Sequence, residues 1–147
     1  MTRATELSER SMVEYAYSRL VELDDVTVNL EVPLGGRFVD LVYVRHGRVC
    51  TVEFKLASWR RALEQAVDHL LGADSAYVCM PKRPVPQEMR NAFHEAGVGL
   101  LFFTSEGDWP FELVIEGHSK HGPWEVARQQ LLNVAQCSVG EGLDVYV

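Results

Sequence analysis

Residues 37–57 read RFVDLVYVRHGRVCTVEFKLA, and this stretch decides the fold of the chain. Two runs rich in β-branched and aromatic residues flank a short RHG connection, which is typical of antiparallel strands joined by a tight turn. Three charged side chains interrupt these apolar runs, namely Asp40, Glu53 and Lys55. Because side chains at positions i and i+2 of a strand share a face, Glu53 and Lys55 are predicted to be neighbours. The opposite, core-facing side is predicted to hold Val52, Phe54 and Leu56.

The turn near Gly47 predicts that Asp40 and Glu53 lie at comparable height in adjacent strands. An unpaired buried carboxylate is costly, so Asp40, with apolar neighbours on both sides, needs a partner. Two converging carboxylates can hold a hard divalent cation through oxygen ligands, and a nearby lysine can stabilise charge or orient an attacking water. This set of groups suits phosphodiester hydrolysis. The alternative is that the three charges form the solvated face of an ordinary sheet.

Apolar periodicity predicts a helix before this stretch and a further strand leading into it. The helix is predicted from Glu6 to Leu23, capped by Ser8 or Thr5, and the strand is VTVNLEVPL, which ends at an LGG turn. The second and third strands are RFVDLVYV and RVCTVEFKLA, as quoted above. Together these segments predict a helix followed by a three-stranded meander.

After the meander, Ser58 is predicted to cap the helix WRRALEQAVDHLLGAD, which Gly72 ends. Its predicted buried face holds Ala62, Leu63, Ala66, Val67, Leu70 and Leu71. The strand SAYVCM, the helix PQEMRNAFHEAG and the strand VGLLFFT follow, and this alternation predicts parallel pairing. The tail predicts an edge strand, WPFELVIEG, and a closing helix, GPWEVARQQLLNVAQ.

Length and composition set the class of protein. A chain of 147 residues that is 47% hydrophobic fits one domain over 1–147, with a core of about 6–104 and an extension at 109–136. No apolar run is long enough to cross a membrane and MTRATELSER lacks a secretory core, so we expect a cytoplasmic protein. The three widely spaced cysteines, two of them in predicted strands, are expected to be reduced. A net charge of -7 argues mildly against a large phosphate-binding surface, although arginines and lysines concentrate in the middle of the chain.

Asp40 followed by Glu53-Phe54-Lys55 resembles the D…(D/E)xK signature of the PD-(D/E)XK nuclease superfamily. The predicted element order also resembles the αβββαβ core of that restriction-endonuclease-like fold, over roughly Glu6–Pro81. The resemblance implies an α/β fold with a central mixed sheet flanked by helices. It also implies a metal-dependent nuclease, with DNA as the favoured substrate in repair, recombination or defence. Val39 stands where the signature has proline, a position that supplies no ligand.

The resemblance also implies roles for individual residues. Asp40, Glu53 and the carbonyl of Phe54 would bind Mg²⁺, with Mn²⁺ as the alternative ion, and Lys55 would orient or activate water. SERSMV resembles the first helix of archaeal Holliday-junction resolvases, and Glu9 lies on the core-facing stripe of the predicted helix. Glu9 is therefore assigned as the helix carboxylate of the metal site, with Glu6 as the alternative; a charged residue favoured by the helix dipole explains either equally well. Gln65 matches a glutamine found on the following helix of many members.

Four residues near the predicted site are candidates for nucleic-acid binding: Arg37, Trp59, Arg60 and Arg61. The helix start and the arginines would hold phosphates, and Trp59 would stack on an unpaired base. The alternative role for Trp59 is a hydrophobic cover over the helix start. Two alternatives for the whole chain stay open: a catalytically inactive nuclease-fold protein that binds nucleic acid or a protein partner, and a purely structural domain. The apolar tail segments offer a surface for a homodimer.

Overall fold

The computed structural model describes residues 7–118 and 122–134. Its first helix and meander are α1 (Glu9–Leu20), β1 (Val26–Leu34), β2 (Arg37–Arg45) and β3 (Arg48–Phe54). The second part comprises α2 (Trp59–His69), β4 (Ser75–Met80), α3 (Gln87–Ala96), β5 (Gly99–Phe103) and β6 (Phe111–Ile115). A further helix, α4, covers residues 125–134. The predicted order of helices and strands is confirmed.

The six strands form one mixed sheet in the order in which they occur along the chain. Strands β1, β2 and β3 pair antiparallel, β3, β4 and β5 pair parallel through the helical crossovers, and β6 pairs antiparallel with β5. The predicted fold class is therefore confirmed as α/β, with an αβββαβ core and a central mixed sheet flanked by helices.

A two-residue turn fixes the register of β2 against β3. Arg45 pairs with Arg48, which leaves His46 and Gly47 as the turn, with φ of 54° and 77°. Positive φ at both turn residues is the type I′ geometry, whose twist matches that of the flanking strands. The same register pairs Leu41 with Val52. The next pair along would be Asp40 and Glu53, so these residues lie at the same height, as predicted.

Helices cover both faces of the sheet. Met12, Ala16 and Leu20 of α1 pack in a cluster with Val52 and Phe54 of β3. The opposite face carries α2 and α3, whose buried residues meet the alternate residues of β4 and β5 in a second cluster, formed by Ala62, Ala66, Ala76, Val78, Met80, Met89, Phe93, Leu100 and Phe102. Because Glu53 lies between Val52 and Phe54 in the strand, its side chain faces the α2 side.

The structure corrects the predicted bounds of α1. The helix begins at Glu9 because Ser8 is its N-cap: the Ser8 hydroxyl oxygen accepts a hydrogen bond from the Ser11 amide. It ends at Leu20, before the predicted Leu23. Ser8 is therefore confirmed as the cap over Thr5, which lies outside the described residues.

The structure also corrects two predicted core faces. Val67 and Leu71 are exposed, whereas His69 is buried, because the inner face of α2 follows Ala62, Ala66 and His69. Leu56 is exposed because β3 ends at Phe54 and the chain then turns towards α2, so the alternation of faces stops. Ser58 does occupy the N-cap position, but its side chain makes no capping hydrogen bond.

The cysteines and the length of the helices can be compared with the expectations from the sequence. Cys50 and Cys79 lie in β3 and β4 as buried free thiols, as predicted, and Cys137 lies outside the described residues. Among the helices of the described part of the chain, none has the length and apolar character needed to cross a membrane.

Candidate active site

Asp40 lies where β2 parts from β3 and where its pairing with β1 is interrupted for one residue. The last pair between β2 and β3 is Leu41 with Val52, and beyond it the Asp40 carboxylate accepts a hydrogen bond of 2.9 Å from the Phe54 amide. On the other side of β2, the ladder to β1 omits the position opposite Asp40, where Glu31 has a φ of 51°. The Asp40 carboxylate thus takes the place of a backbone acceptor for the Phe54 amide. It lies half-buried at an opening in the sheet.

Asp40 and Glu53 form a carboxyl pair. The pKa values of both are raised, and each carboxyl group is among the causes of the shift of the other. Burial is the largest cause for each, and Glu53, which is only 6% exposed, reaches a pKa of about 8 because the Asp40 charge adds to the cost of ionisation. Glu53 therefore holds a proton at pH 7, beside the Asp40 carboxyl group. The predicted convergence of the two carboxyl groups is what the structure shows.

Lys55 and Glu9 act on this pair from the end of the sheet. The Lys55 ammonium lowers the pKa values of Asp40 and Glu53, and the Glu9 carboxylate raises both. Glu9 also accepts a hydrogen bond of 3.2 Å from the Leu56 amide, which ties the start of α1 to the chain after β3. Lys55 itself lies just past the end of β3, where its amide still donates to the Cys79 carbonyl at 3.0 Å. Glu6, the alternative helix carboxylate, lies outside the described residues.

A pocket of about 250 Å³ adjoins Glu53 on the α2 side of the sheet, lined by Arg37, Phe38, Glu53, Gln65 and His69. Gln65 thus lines the same pocket as Glu53, and its role at the site stays a prediction. His69 was not singled out in the sequence. Its position four residues after Gln65 is the signal that places it on the same face of α2. Burial lowers the pKa of His69 to about 4, so the imidazole is neutral at pH 7.

A second pocket, of about 270 Å³, opens on the α1 side of Asp40. Its lining includes Glu9, Asp40 and Glu31. Glu31 was also absent from the predicted site, and no local motif marks it, because its left-handed backbone appears only in the folded chain. Glutamate rarely adopts this conformation, and such strain concentrates at functional sites.

The predicted nucleic-acid-binding residues differ in their packing contacts and solvent exposure. The Trp59 ring packs against Phe93 with a centroid distance of 6.0 Å, and the Arg60 guanidinium lies over Trp59 at 4.4 Å. These contacts fit the alternative role of Trp59 as a cover over the helix start. Arg60 also forms an ion pair with Glu88. Arg61 is exposed beside it.

The β2 end of the site presents an aromatic residue that sequence reasoning passed over. Phe38 is 68% exposed and lines the pocket next to Glu53. Arg37 beside it lies 3.5 Å from Asp68 in an exposed ion pair. Exposure of a large aromatic ring next to a polar pocket is what marks Phe38 as a candidate site residue. An alternating strand pattern in the sequence does not predict such exposure.

The donor set fits a hard divalent cation in part. Asp40 and Glu53 supply carboxylate oxygens at one point, Glu53 Oε1 is buried without a hydrogen-bond partner among the described residues, and Mg²⁺ favours such oxygen ligands. Within 7–118 and 122–134, no three His, Cys, Asp or Glu side chains are gathered into a metal-binding group. An ion at the carboxyl pair would therefore take its other ligands from backbone carbonyls and water.

No protein-family model matches the chain, and no curated protein matches it in sequence. Among solved structures it is similar to an XisH family protein from Nostoc punctiforme PCC 73102, with 18% identity and a TM-score of 0.48, over 70% of this chain and 98% of that one. It is also similar to SfsA from Pyrococcus furiosus, solved in complex with Ca²⁺, with 16% identity and a TM-score of 0.39. That match covers 73% of this chain and 60% of the other. These distant similarities do not bear on the chemistry of the chain.

Proposed function

We propose that the chain is a metal-dependent nuclease of the PD-(D/E)XK type that hydrolyses phosphodiester bonds, with DNA as the favoured substrate. The observation that carries this proposal is the register that sets Asp40 and Glu53 at the same height in adjacent strands, with Lys55 close enough to shift the pKa values of both. Raised carboxyl pKa values beside a cation occur at catalytic sites because folding has brought like charges together there.

Each residue has a part in this chemistry. Asp40, Glu53 and the Phe54 carbonyl would hold Mg²⁺ or Mn²⁺, which supplies Lewis-acid stabilisation of the phosphate when bound. Lys55 orients the attacking water and offsets negative charge that develops on the phosphate. Glu9 would act on the ion from α1 through a bound water, and Gln65 would contact the site from α2.

A binding protein without nuclease activity is the second candidate. It is favoured by the net charge of -7 and by the arginines Arg37 and Arg60, whose guanidinium groups face the carboxylates of Asp68 and Glu88. The intact Asp40, Glu53 and Lys55 set favours cleavage instead, since binding alone does not need converging carboxylates.

Nicking of supercoiled plasmid in Mg²⁺ separates these candidates. We expect nicking by the wild-type protein, none in EDTA, and at least a tenfold lower rate for Asp40→Asn because that change removes a charged cation ligand. Asp24→Asn is the matched control, since Asp24 is exposed in the turn before β1. Equal nicking by all samples, or none by the wild-type protein with Mg²⁺ or Mn²⁺, would contradict the nuclease proposal.

Phe38 is expected to contact nucleic acid. Stacking of one base on an aromatic ring contributes about 1–3 kcal/mol, so Phe38→Ala should weaken binding of a fluorescent single-stranded oligonucleotide about fivefold or more. Fluorescence anisotropy in EDTA measures this without cleavage. Leu113→Ala, at the far edge of the sheet and 54% exposed, is the control. Equal affinities for the two variants would remove Phe38 from the interface.

A further inference from the structure

Buried polar atoms without partners concentrate beside Glu53. In the described part of the chain, five buried side-chain atoms lack a hydrogen-bond partner, and four of them belong to β3 and α2: Thr51 Oγ1, Glu53 Oε1, Gln65 Oε1 and His69 Nδ1. Leaving such a group unpaired costs about 1–3 kcal/mol, and native structures contain few of them. Three of these atoms belong to residues that line one pocket, namely Glu53, Gln65 and His69, which indicates an arrangement that is completed in another state of the site.

The gap between His69 and Glu53 suggests how the arrangement is completed. His69 Nε2 lies 3.9 Å from Glu53 Oε1, and both side chains are almost fully buried, at 2% and 6% exposure. This distance is too long for a hydrogen bond, which needs about 2.9 Å. A shift of about 1 Å in the Glu53 side chain would close it. The adjoining pocket of about 250 Å³ leaves room for that shift.

The position of Glu53 gives a reason for the shift. In the structure the Asp40 carboxyl group is close enough to Glu53 to act on its ionisation, and a cation between the two carboxylates would draw the Glu53 oxygens into a new orientation. Carboxylates that bind metals are themselves held by hydrogen bonds from outside the site, and loss of such an outer partner typically lowers metal affinity about 10- to 100-fold. His69 is the buried donor that faces Glu53 Oε1 from α2.

We propose that His69 is a positioning residue whose Nε2–H donates a hydrogen bond to Glu53 Oε1 when Glu53 binds a cation, and so fixes the orientation of that carboxylate. The inference rests on the proposed function because it assumes a cation at Glu53. A role in packing alone would be served as well by an apolar side chain, which would carry no donor towards Glu53 Oε1.

Two conservative variants distinguish the nitrogen that is needed. Glutamine places an amide nitrogen near the position of Nε2, whereas asparagine mimics Nδ1. By calorimetric titration with Mn²⁺ at pH 8.5, we expect His69→Asn and His69→Phe to bind at least tenfold more weakly than wild type. We expect His69→Gln to stay within about threefold. Thermal unfolding without metal checks that each variant is folded.

Nitrogen-15 NMR of the wild-type protein gives a readout that packing alone would not change. On addition of Mg²⁺, the Nε2–H proton of His69 should become protected from exchange and shift as a hydrogen-bonded donor. Equal Mn²⁺ affinity in all folded variants, equal losses for glutamine and asparagine, or an unchanged Nε2 signal would each overturn the proposal. The titration contains no nucleic acid, so a protein that binds Mn²⁺ but cuts nothing would refute the nuclease activity and leave the role of His69 intact.

Discussion

Lys55→Met is expected to lower the rate of single-turnover nicking about 100- to 1000-fold, the range found when one preorganised electrostatic donor is removed. Methionine keeps most of the length of the side chain and removes its charge. The Lys55 ammonium acts on both Asp40 and Glu53, and in the proposed reaction it would lie where negative charge grows on the phosphate. Because its role is in the reaction, Mn²⁺ affinity should stay within about threefold of wild type.

The assay for Lys55 needs a high pH and a matched lysine. Loss of the ammonium would raise the pKa of Glu53 further, so rates and affinities are compared at pH 8.5, which limits the protonation of that carboxyl group. Lys82→Met, at an exposed position in the loop after β4, is the control. A Lys55→Met protein that nicks at the wild-type rate, or a Lys82→Met protein that loses as much activity, would exclude the assigned role.

The pairing of Asp40 with Glu53 could be predicted from sequence because the length of a short turn determines which residues of the two strands lie opposite each other. Once His46 and Gly47 form a two-residue connection, the register of β2 and β3 follows, and with it the height of each carboxylate. The faces of the strand after Phe54 could not be predicted in the same way, since Lys55 and Leu56 lie beyond the end of β3. The pattern of alternation does not reveal where a strand stops.

Contacts between distant segments account for the rest. Trp59 is covered by Phe93 of α3, a residue that no local pattern links to the start of α2. His69 is buried because α2 turns its alanine-lined face to the sheet, whereas hydrophobicity alone ranks Val67 and Leu71 as the inner residues. Small side chains allow the close approach of helix and sheet. A prediction from the spacing of apolar residues does not take side-chain size into account.

As pH rises towards the pKa of Glu53, cation affinity is expected to increase about tenfold per pH unit. Above that pKa the affinity should level off. A cation must displace the proton that Glu53 holds with a pKa of about 8, so each ion bound at pH 7 releases close to one proton. Mg²⁺ titrations at pH 6, 7 and 8 in buffers of different ionisation enthalpy measure both quantities. Affinity that does not change across this range would show that the ion binds without ionising the pair.

Loss of the same Glu53 proton is expected to make the metal-free protein less stable as pH rises. In the folded chain Glu53 has a pKa of about 8 against an ordinary value of 4.5, so between these values the folded state holds a proton that the unfolded state releases. The free energy of unfolding therefore falls with rising pH, by at most about 1.4 kcal/mol per unit for one proton. Glu53→Gln keeps the shape of the side chain and cannot titrate. In urea unfolding at pH 5 to 8, this variant should show a much flatter dependence than wild type, and a slope equal to that of wild type would assign the proton to another group.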